Sequence, residues 1–464
     1  MLYNMDMSKL ISTNPANNYS IVGEVTISGK AEITQKVQKA QAAKKAWKEL
    51  GVQKRIALLE PICEEFVKHQ EELAKLITRE TGKPIQQSKD EAIGYVEDFK
   101  WFMEHAPFAI KDEITHEDKN SIHKIVYEPF GVAAVITPWN FPFGMAIWGI
   151  LPNLLVGNTV VFKISEECPL VGKFIEEVFL DHNLPEGVFA QVYGAGEVGR
   201  QLSESEINFI WFTGSTNAGK SLYKTAADKF IKVLLEMGGS NPCVVFEDVD
   251  IDKTAEIIYK SRFQNCGQAC NAVKRLIVYE SIAEKLAAKL KKILKSKRIG
   301  NPEDQETDIG SLVAKRQLNL LKEQVDDSFA KGAKIIAQLK LPNNLHGAFY
   351  PPTILGNITK DMRVWKEEVF GPVLPMVTFA TEDEAIDLAN DTPYGLGSKV
   401  MSKNNERAER VASKIEAGTV EINEASRWLS CNPFGGYKNS GIGREHGELG
   451  FRELCQVKVI SKSR

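Results

Sequence analysis

Apolar residues recur at helical spacing near the amino end. Val37, Ala40, Ala43 and Trp47 share one face, and Ile62, Phe66, Leu73 and Ile77 mark another run, so residues 32–80 predict helices. "TGKP" at 81–84 supplies the stop. The lysine-rich "AAKKAWKELGVQKR" alternates with apolar positions and reads as the solvated face of a helix. From about residue 125 the pattern changes to short, nearly continuous apolar runs. These are "GVAAVITP", "NTVVFK", "GVFAQVYG", "INFIWFTG" and "IKVLLEMGG", beginning at Gly131, Asn158, Gly187, Ile207 and Ile231. Helix-compatible segments such as "CPLVGKFIEEVFLDH" and "NAGKSLYKTAADKF" lie between them. Strands apolar on both faces, alternating with helices, predict βαβ units and a covered parallel sheet. A second alternating series runs from "NPCVVF" at 241 to "GTVEIN" at 418 and predicts a second α/β domain, with the boundary near Gly238 and Gly239. Two strand-like segments stand apart, "SIHKIVYEP" at 121–129 and the terminal "CQVKVISKS". On their residues alone they are edge strands, or they pair with each other and with another subunit.

Composition narrows the class. The chain has 464 residues, a length suited to two or three domains, and 43% apolar residues, enough for a sizeable core. A net charge of −3 with interspersed signs points away from nucleic acid. Seven cysteines, sparse and odd in number, argue against a disulfide framework and for a reducing compartment. The first residues lack a basic segment followed by a long apolar run, and no apolar stretch reaches the ~18 residues of a membrane span. A soluble cytoplasmic protein is the expectation. The seven histidines are scattered and Cys266-xxx-Cys270 has no second ligand pair nearby, so no metal site is expected.

Several short stretches bear chemistry. "FTGSTNAGK" (212–220) places a glycine turn between a strand and a helix starting near Asn217, where backbone N–H groups favour phosphate. Gly214, Gly219, Lys220 and Ser221 match a P-loop formally, but no strand offers the acidic partner a P-loop needs. A nucleotide-binding turn and a plain strand–helix turn both stay open. "VVFKISEE" puts Lys163 and Glu166 at the carboxyl end of a predicted parallel strand, where they could hold ribose hydroxyls or form a surface ion pair. In "ITPWNFPFG", Asn140 offers a neutral N–H donor for an oxyanion, or is a turn asparagine. Glu236 in "LLEMGGSNP" is a candidate general base at a strand end. "NCGQACNA" holds Cys266 and Cys270 four positions apart, sharing a face if helical. They are a redox pair, metal ligands, or a nucleophile beside a bystander. "KEEVFGPVLP" and the glycine-rich "NPFGGYKNSGIGRE" complete the set.

Taken in order, "PWNFP", "FTGSTNAGK", "LEMGGSNP", "FQNCGQAC", "EEVFGP" and "PFGGYKNSGIGRE" resemble the NAD(P)-dependent aldehyde dehydrogenase superfamily from about residue 12 to the end. The resemblance implies an α/β fold with a Rossmann-like cofactor domain (1–110 and 130–238), an α/β catalytic domain (239–440) and a small strand-built oligomerisation element (111–129 and 441–464). The last assignment turns the two isolated strands from plain edge strands into subunit contacts, in a homodimer or homotetramer. By resemblance Cys270 is the nucleophile at a bend near a helix start, with Cys266 a neighbour, inert or able to mask it as a disulfide. Asn140 and the Cys270 N–H form the oxyanion hole, and Glu236 is the base. Lys163 and Glu166 bind the adenosine ribose, with Thr137, Pro138 and Trp139 lining the cofactor. Gly214, Ser215 and Gly219 form the pyrophosphate and nicotinamide loop, while Glu368 and Phe370 hold the nicotinamide ribose and ring. The P-loop match is then a coincidence. NAD is expected, with NADP less favoured because Glu166 would meet a 2′-phosphate with like charge. Glu236 implies a free carboxylic acid as product rather than acyl-CoA.

For the substrate, a length near 460 resembles bacterial succinate-semialdehyde dehydrogenases, but Trp148 and Gln264 stand where those enzymes place arginines. Phe141, Met145, Trp148, Trp428 and Phe434 instead match an aromatic funnel for uncharged aldehydes, with Arg427 able to meet a carboxylate. Gly149 departs from relatives that have a relay lysine acting with the glutamate at Glu445. Rival readings are a catalytically silent binding protein on the same fold, which intact Cys270, Glu236 and Asn140 oppose, and a reductase acting on an acyl-thioester or acyl-phosphate.

Overall fold

The computed structural model describes residues 9–423 and 429–464. Helices Lys30–Glu49, Val52–Lys68 and Gln70–Thr81 realise the early periodicity, and Gly82 ends the third with φ 75°. Only glycine takes that left-handed cap without steric cost. A 25-residue helix, Ile85–Ala109, follows. Buried Ser88, Glu91 and Asp98 interrupt its apolar stripe, which masks it to periodicity.

The first sheet has six strands in the order Gly441–Ile442, Lys232–Glu236, Phe209–Thr213, Val132–Ile136, Thr159–Lys163, Phe189–Val192. All neighbours are parallel except the short first strand, which lies antiparallel to Lys232–Glu236. Gly441–Ile442 thus joins this sheet, although it opens the stretch expected to form the oligomerisation element. Strands 132–136, 159–163 and 209–213 are buried throughout, as their continuous apolar runs require. From the 132–136 strand the chain first builds outward through 159–163 and 189–192, then crosses to 209–213 on the other side. That reversal opens a crevice at the strands' carboxyl ends. Helix Pro142–Val156, apolar all round and buried at every residue, packs against this sheet and against the 85–109 helix.

The second sheet has seven strands in the order Lys334–Gln338, Thr353–Gly356, Val373–Phe379, Val273–Tyr279, Asn241–Val245, Gly397–Met401, Thr419–Ile422. Only 334–338 runs antiparallel to its neighbour. The two isolated segments pair with each other: Ser121–Pro129 lies antiparallel to Cys455–Ser463, from Cys455↔Pro129 to Ser463↔Ser121. Glu113–Glu117 adds to the other side of Ser121–Pro129, leaving 455–463 as an edge with Val457 and Val459 61% and 63% exposed.

Candidate active site

The carboxyl ends of the first sheet meet the amino ends of the second. Glu236 and Asn140 come from the first, Asn241 and the 264–272 loop from the second. Between them lies a cavity of about 1510 Å³ whose wall includes Asn140, Glu236, Cys270, Glu368 and Phe370.

The 264–272 loop differs from its expected form. Helix Ile251–Phe263 ends, and a 3₁₀ turn, Gln264–Gly267, holds Asn265, Cys266 and Gly267 at φ 49°, 54° and 74°. Three consecutive left-handed residues, one of them a cysteine, are uncommon and mark a backbone held by its surroundings. Cys266 and Cys270 therefore do not share a helical face. Cys270 sits in a turn that leads into strand 273–279, after a helix end rather than near a helix start. Cys266 is 1% exposed within the second sheet's core, and burial pushes its thiol up to about 12. That environment supports inert packing.

Hydrogen bonds lock this loop to the first sheet. Asn140 Nδ2 donates to the Gln268 carbonyl at 3.1 Å, and Asn265 Nδ2 donates to the Asn140 carbonyl at 2.8 Å and the Gln268 carbonyl at 3.2 Å. Gln87 Oε1 on the long helix accepts the Asn265 N–H at 2.7 Å. One turn on, Glu91 Oε1 accepts the Phe143 and Gly144 N–H groups at 3.1 and 3.2 Å, capping the helix that follows Asn140. Its other oxygen pairs with fully buried Lys83, whose ammonium lies 4.0 Å over the Phe141 ring. Gln87, Glu91, Tyr95 and Asp98 all line the cavity. Their i+4, i+4, i+3 spacing was legible as one helical face, but no motif singled it out.

Glu236 is 2% exposed, and among the described residues neither its oxygens nor those of buried Glu445 have a hydrogen-bond partner. Burial, then the neighbouring Glu445 charge, hold the Glu236 carboxyl well above its ordinary range, with Arg444 opposing. Burial lifts Glu445 to about 8. Burial also pushes the Cys270 thiol up to about 12; Lys274 opposes this, while Glu236, Glu368 and Glu445 add to it. A Cβ at Gly149 would fall 2.5 Å from Val135 Cγ1 and 2.8 Å from the Trp211 ring. The place where the family resemblance expects a lysine is thus filled by packing.

The cofactor candidates divide. Pro138, Trp139, Gly214, Ser215, Glu368 and Phe370 line the cavity, and Trp139 meets Phe370 edge-on at 5.5 Å. Ser215 caps helix Thr216–Lys229 through its Oγ, placing that helix's free N–H groups at the crevice. Gly219 packs inward instead: a Cβ there would overlap the Met237 sulfur. Thr137, Lys163 and Glu166 are not in the cavity wall; the Thr137 N–H donates to the Lys163 carbonyl at 3.1 Å. Lys163 Nζ lies 3.6 Å from Glu166, whose other oxygen is 3.6 Å from Arg316. Burial raises the Glu166 pKa, yet Lys163 and Arg316 bring it below the ordinary range. Arg316, far off in sequence, carried no local signal.

Of the funnel residues, Phe141, Met145, Trp148 and Phe434 line the cavity, while Arg427 and Trp428 lie outside the described residues. Trp148 Nε1 donates to Asp98 Oδ2 at 2.9 Å, and its ring meets Tyr95 edge-on at 5.3 Å. Among the described residues no cluster of metal-ligating side chains occurs, and no helix is long and apolar enough to cross a membrane.

Two α/β sheets enclose a cysteine, a buried glutamate and an amide donor in one cavity, the lining of an enzyme's active site. The sequence profile of the aldehyde dehydrogenase family matches residues 3–460. Betaine aldehyde dehydrogenase of Bacillus subtilis (strain 168) is 36% identical over 460 residues, 97% of this chain and 93% of its own. The crystal structure of Staphylococcus aureus betaine aldehyde dehydrogenase in complex with NAD+ superposes with a TM-score of 0.93 at 34% identity, covering 98% of this chain and 92% of that one. An NADP-dependent enzyme of E. coli superposes with a TM-score of 0.94 at 33% identity, covering 98% and 95%. The chain belongs to the aldehyde dehydrogenase family. It is an oxidoreductase acting on aldehydes.

Proposed function

We propose that this enzyme oxidises an aldehyde to the free carboxylic acid with NAD, using Cys270 as nucleophile, Asn140 and the Cys270 N–H as oxyanion donors, and Glu236 as base. The observation behind this is the convergence of Cys270, Asn140 and Glu236 on one cavity that also contains Glu368 and Phe370. The dinucleotide suits the crevice: the helix capped by Ser215 presents free N–H groups to phosphate, and Glu368 and Phe370 offer a carboxylate and a ring to a ribose and nicotinamide. When bound, NAD accepts the hydride. The protein's own groups do the rest. Cys270 sulfur bonds to the carbonyl carbon, the thiol proton passes to a base, and the second Asn140 N–H stabilises the oxyanion. After hydride departure a thioester remains on Cys270. Glu236 takes a proton from water, the hydroxide adds, and the carbon–sulfur bond breaks to release acid and thiolate. Burial of Glu236 without a hydrogen-bond partner among the described residues gives its carboxylate the high proton affinity a base needs.

The favoured substrates are uncharged aliphatic or aromatic aldehydes, which bury apolar surface against Phe141, Met145, Trp148 and Phe434. Glu97 and Asp98 on the same wall disfavour succinate semialdehyde. They also support a second reading, the cationic betaine aldehyde of the named relatives, through charge attraction and the Trp148 and Tyr95 faces. Glu166 favours NAD, with Arg316 moderating the preference. The exposed Val457 and Val459 on the 455–463 edge suit pairing with a second copy, in a homodimer or homotetramer. The unpaired state of all seven thiols suits a cytoplasmic, reducing setting. Initial rates of NADH formation with propanal, hexanal, benzaldehyde, betaine aldehyde and succinic semialdehyde test the assignment, as does the ratio of kcat/KM for NAD and NADP. The reading fails if no aldehyde supports turnover, or if Cys270→Ala retains it.

A further inference from the structure

Lys274 was part of no motif. It lies on strand 273–279, four residues after Cys270, with a side chain fully buried. Its Nζ donates to the Cys270 carbonyl at 2.8 Å and to Glu368 Oε1 at 2.5 Å, and lies 5.2 Å over the Phe370 ring. Glu368 Oε1 also accepts the Gly239 N–H at 3.0 Å, from the turn that follows Glu236. The Cys270 carbonyl further accepts Asn241 Nδ2 at 2.6 Å. One ammonium therefore ties the nucleophile turn, the turn after the base and the cofactor-side carboxylate to each other.

The surrounding charge explains why a cation belongs there. Once ionised, the carboxyls of Glu236, Glu368 and Glu445 oppose ionisation of the Cys270 sulfur, and Tyr95 also faces it. Lys274 acts the other way, and more strongly than any one of these three. The Gly149 place, where the family resemblance expects a lysine, is closed by Val135 and Trp211. Lys274 itself is faced by Glu368 and Cys270, which hold its proton on, and by Arg262, which with burial works against it.

We propose that Lys274 is the positioning residue of this active site: it locks the Cys270 turn to Glu368 and supplies the positive charge against which the thiolate forms. This rests on Cys270 being the nucleophile, and the test reads the thiol rather than turnover. Iodoacetamide alkylation of the Cys270 peptide, followed by mass spectrometry across pH, gives the thiol's midpoint separately from the other six cysteines. In Lys274→Met the midpoint should rise by about one unit, with alkylation near neutral pH slowed about tenfold. A purely structural role would lower activity and melting temperature without moving the midpoint. Should Lys274→Met fail to fold because Glu368 loses its counter-ion, Glu368→Gln is compared with Lys274→Met/Glu368→Gln, in which the carboxylate is absent from both. A higher midpoint in the double variant supports the proposal. An unchanged midpoint in the folded pair overturns it. Loss of turnover in Cys270→Ala, scored alongside, shows separately whether the nucleophile assignment stands.

Discussion

Asn140→Ala isolates the oxyanion donor from the scaffold that holds it. A side-chain amide has two N–H bonds. In Asn140 one donates to the Gln268 carbonyl at 3.1 Å, which leaves the other for an oxyanion on a Cys270 adduct. The variant removes both. The structural loss is small, because the Gln268 carbonyl keeps a second donor, Asn265 Nδ2 at 3.2 Å, and the Asn140 carbonyl that accepts from Asn265 is backbone. About 1 kcal/mol of stability is expected to go, the net worth of one such bond. The transition state loses far more. Removing one oxyanion donor typically costs ~10²–10³ in kcat, about 2.7–4 kcal/mol. The assay is stopped-flow NADH formation with saturating aldehyde, beside alkylation of Cys270 by iodoacetamide. Alkylation passes through no oxyanion, so its rate should hold while the NADH transient and kcat fall together. Less than a tenfold loss in kcat in a folded variant would refute the donor role. An equal fall in alkylation would show instead that Asn140 acts by placing the loop through Gln268.

Two further outcomes follow from the buried carboxyls. Glu236→Gln should leave thioester formation and abolish its hydrolysis, giving one equivalent of NADH in a burst followed by a steady rate at least ~10²-fold lower, the usual worth of a positioned base; quenched-flow mass spectrometry should trap the acyl group on Cys270. Glu445, lifted by burial to about 8, stays protonated in the folded chain while the unfolded chain ionises near 4.5, so folded Glu445 binds the extra proton and stability falls as pH rises between those values. Glu445→Gln removes this slope, so its melting temperature should gain on wild type steadily from about pH 5 to about pH 8, and parallel curves would show that Glu445 does not titrate there.

The local order of this protein was determined by its sequence alone. Two βαβ series were written in continuous apolar runs, because strands covered on both faces have no polar side to show. Cys270, Glu236 and Asn140 could be named as candidates because each lies at a strand end or turn inside a short distinctive stretch. Tertiary structure decided what those stretches could not encode. The long helix 85–109 was obscured by Glu91 and Asp98, polar residues whose burial makes sense only once Phe143, Gly144 and Trp148 arrive to bond them. The left-handed run at Asn265, Cys266 and Gly267 contradicts helical spacing, since it is imposed by Gln87 and Asn140 from more than a hundred residues away in the chain. Gly219 turned out to be a packing glycine under Met237, and Gly441–Ile442 joined a sheet to which its sequence neighbours do not belong. Lys274 shows the same limit most plainly. A lysine in an apolar strand reads as an anomaly until the fold sets Glu368, ninety-four positions later, beside it. Spacing encodes what lies within a turn or a strand, and the pairing of charges across two sheets exists only after both have closed on the cavity.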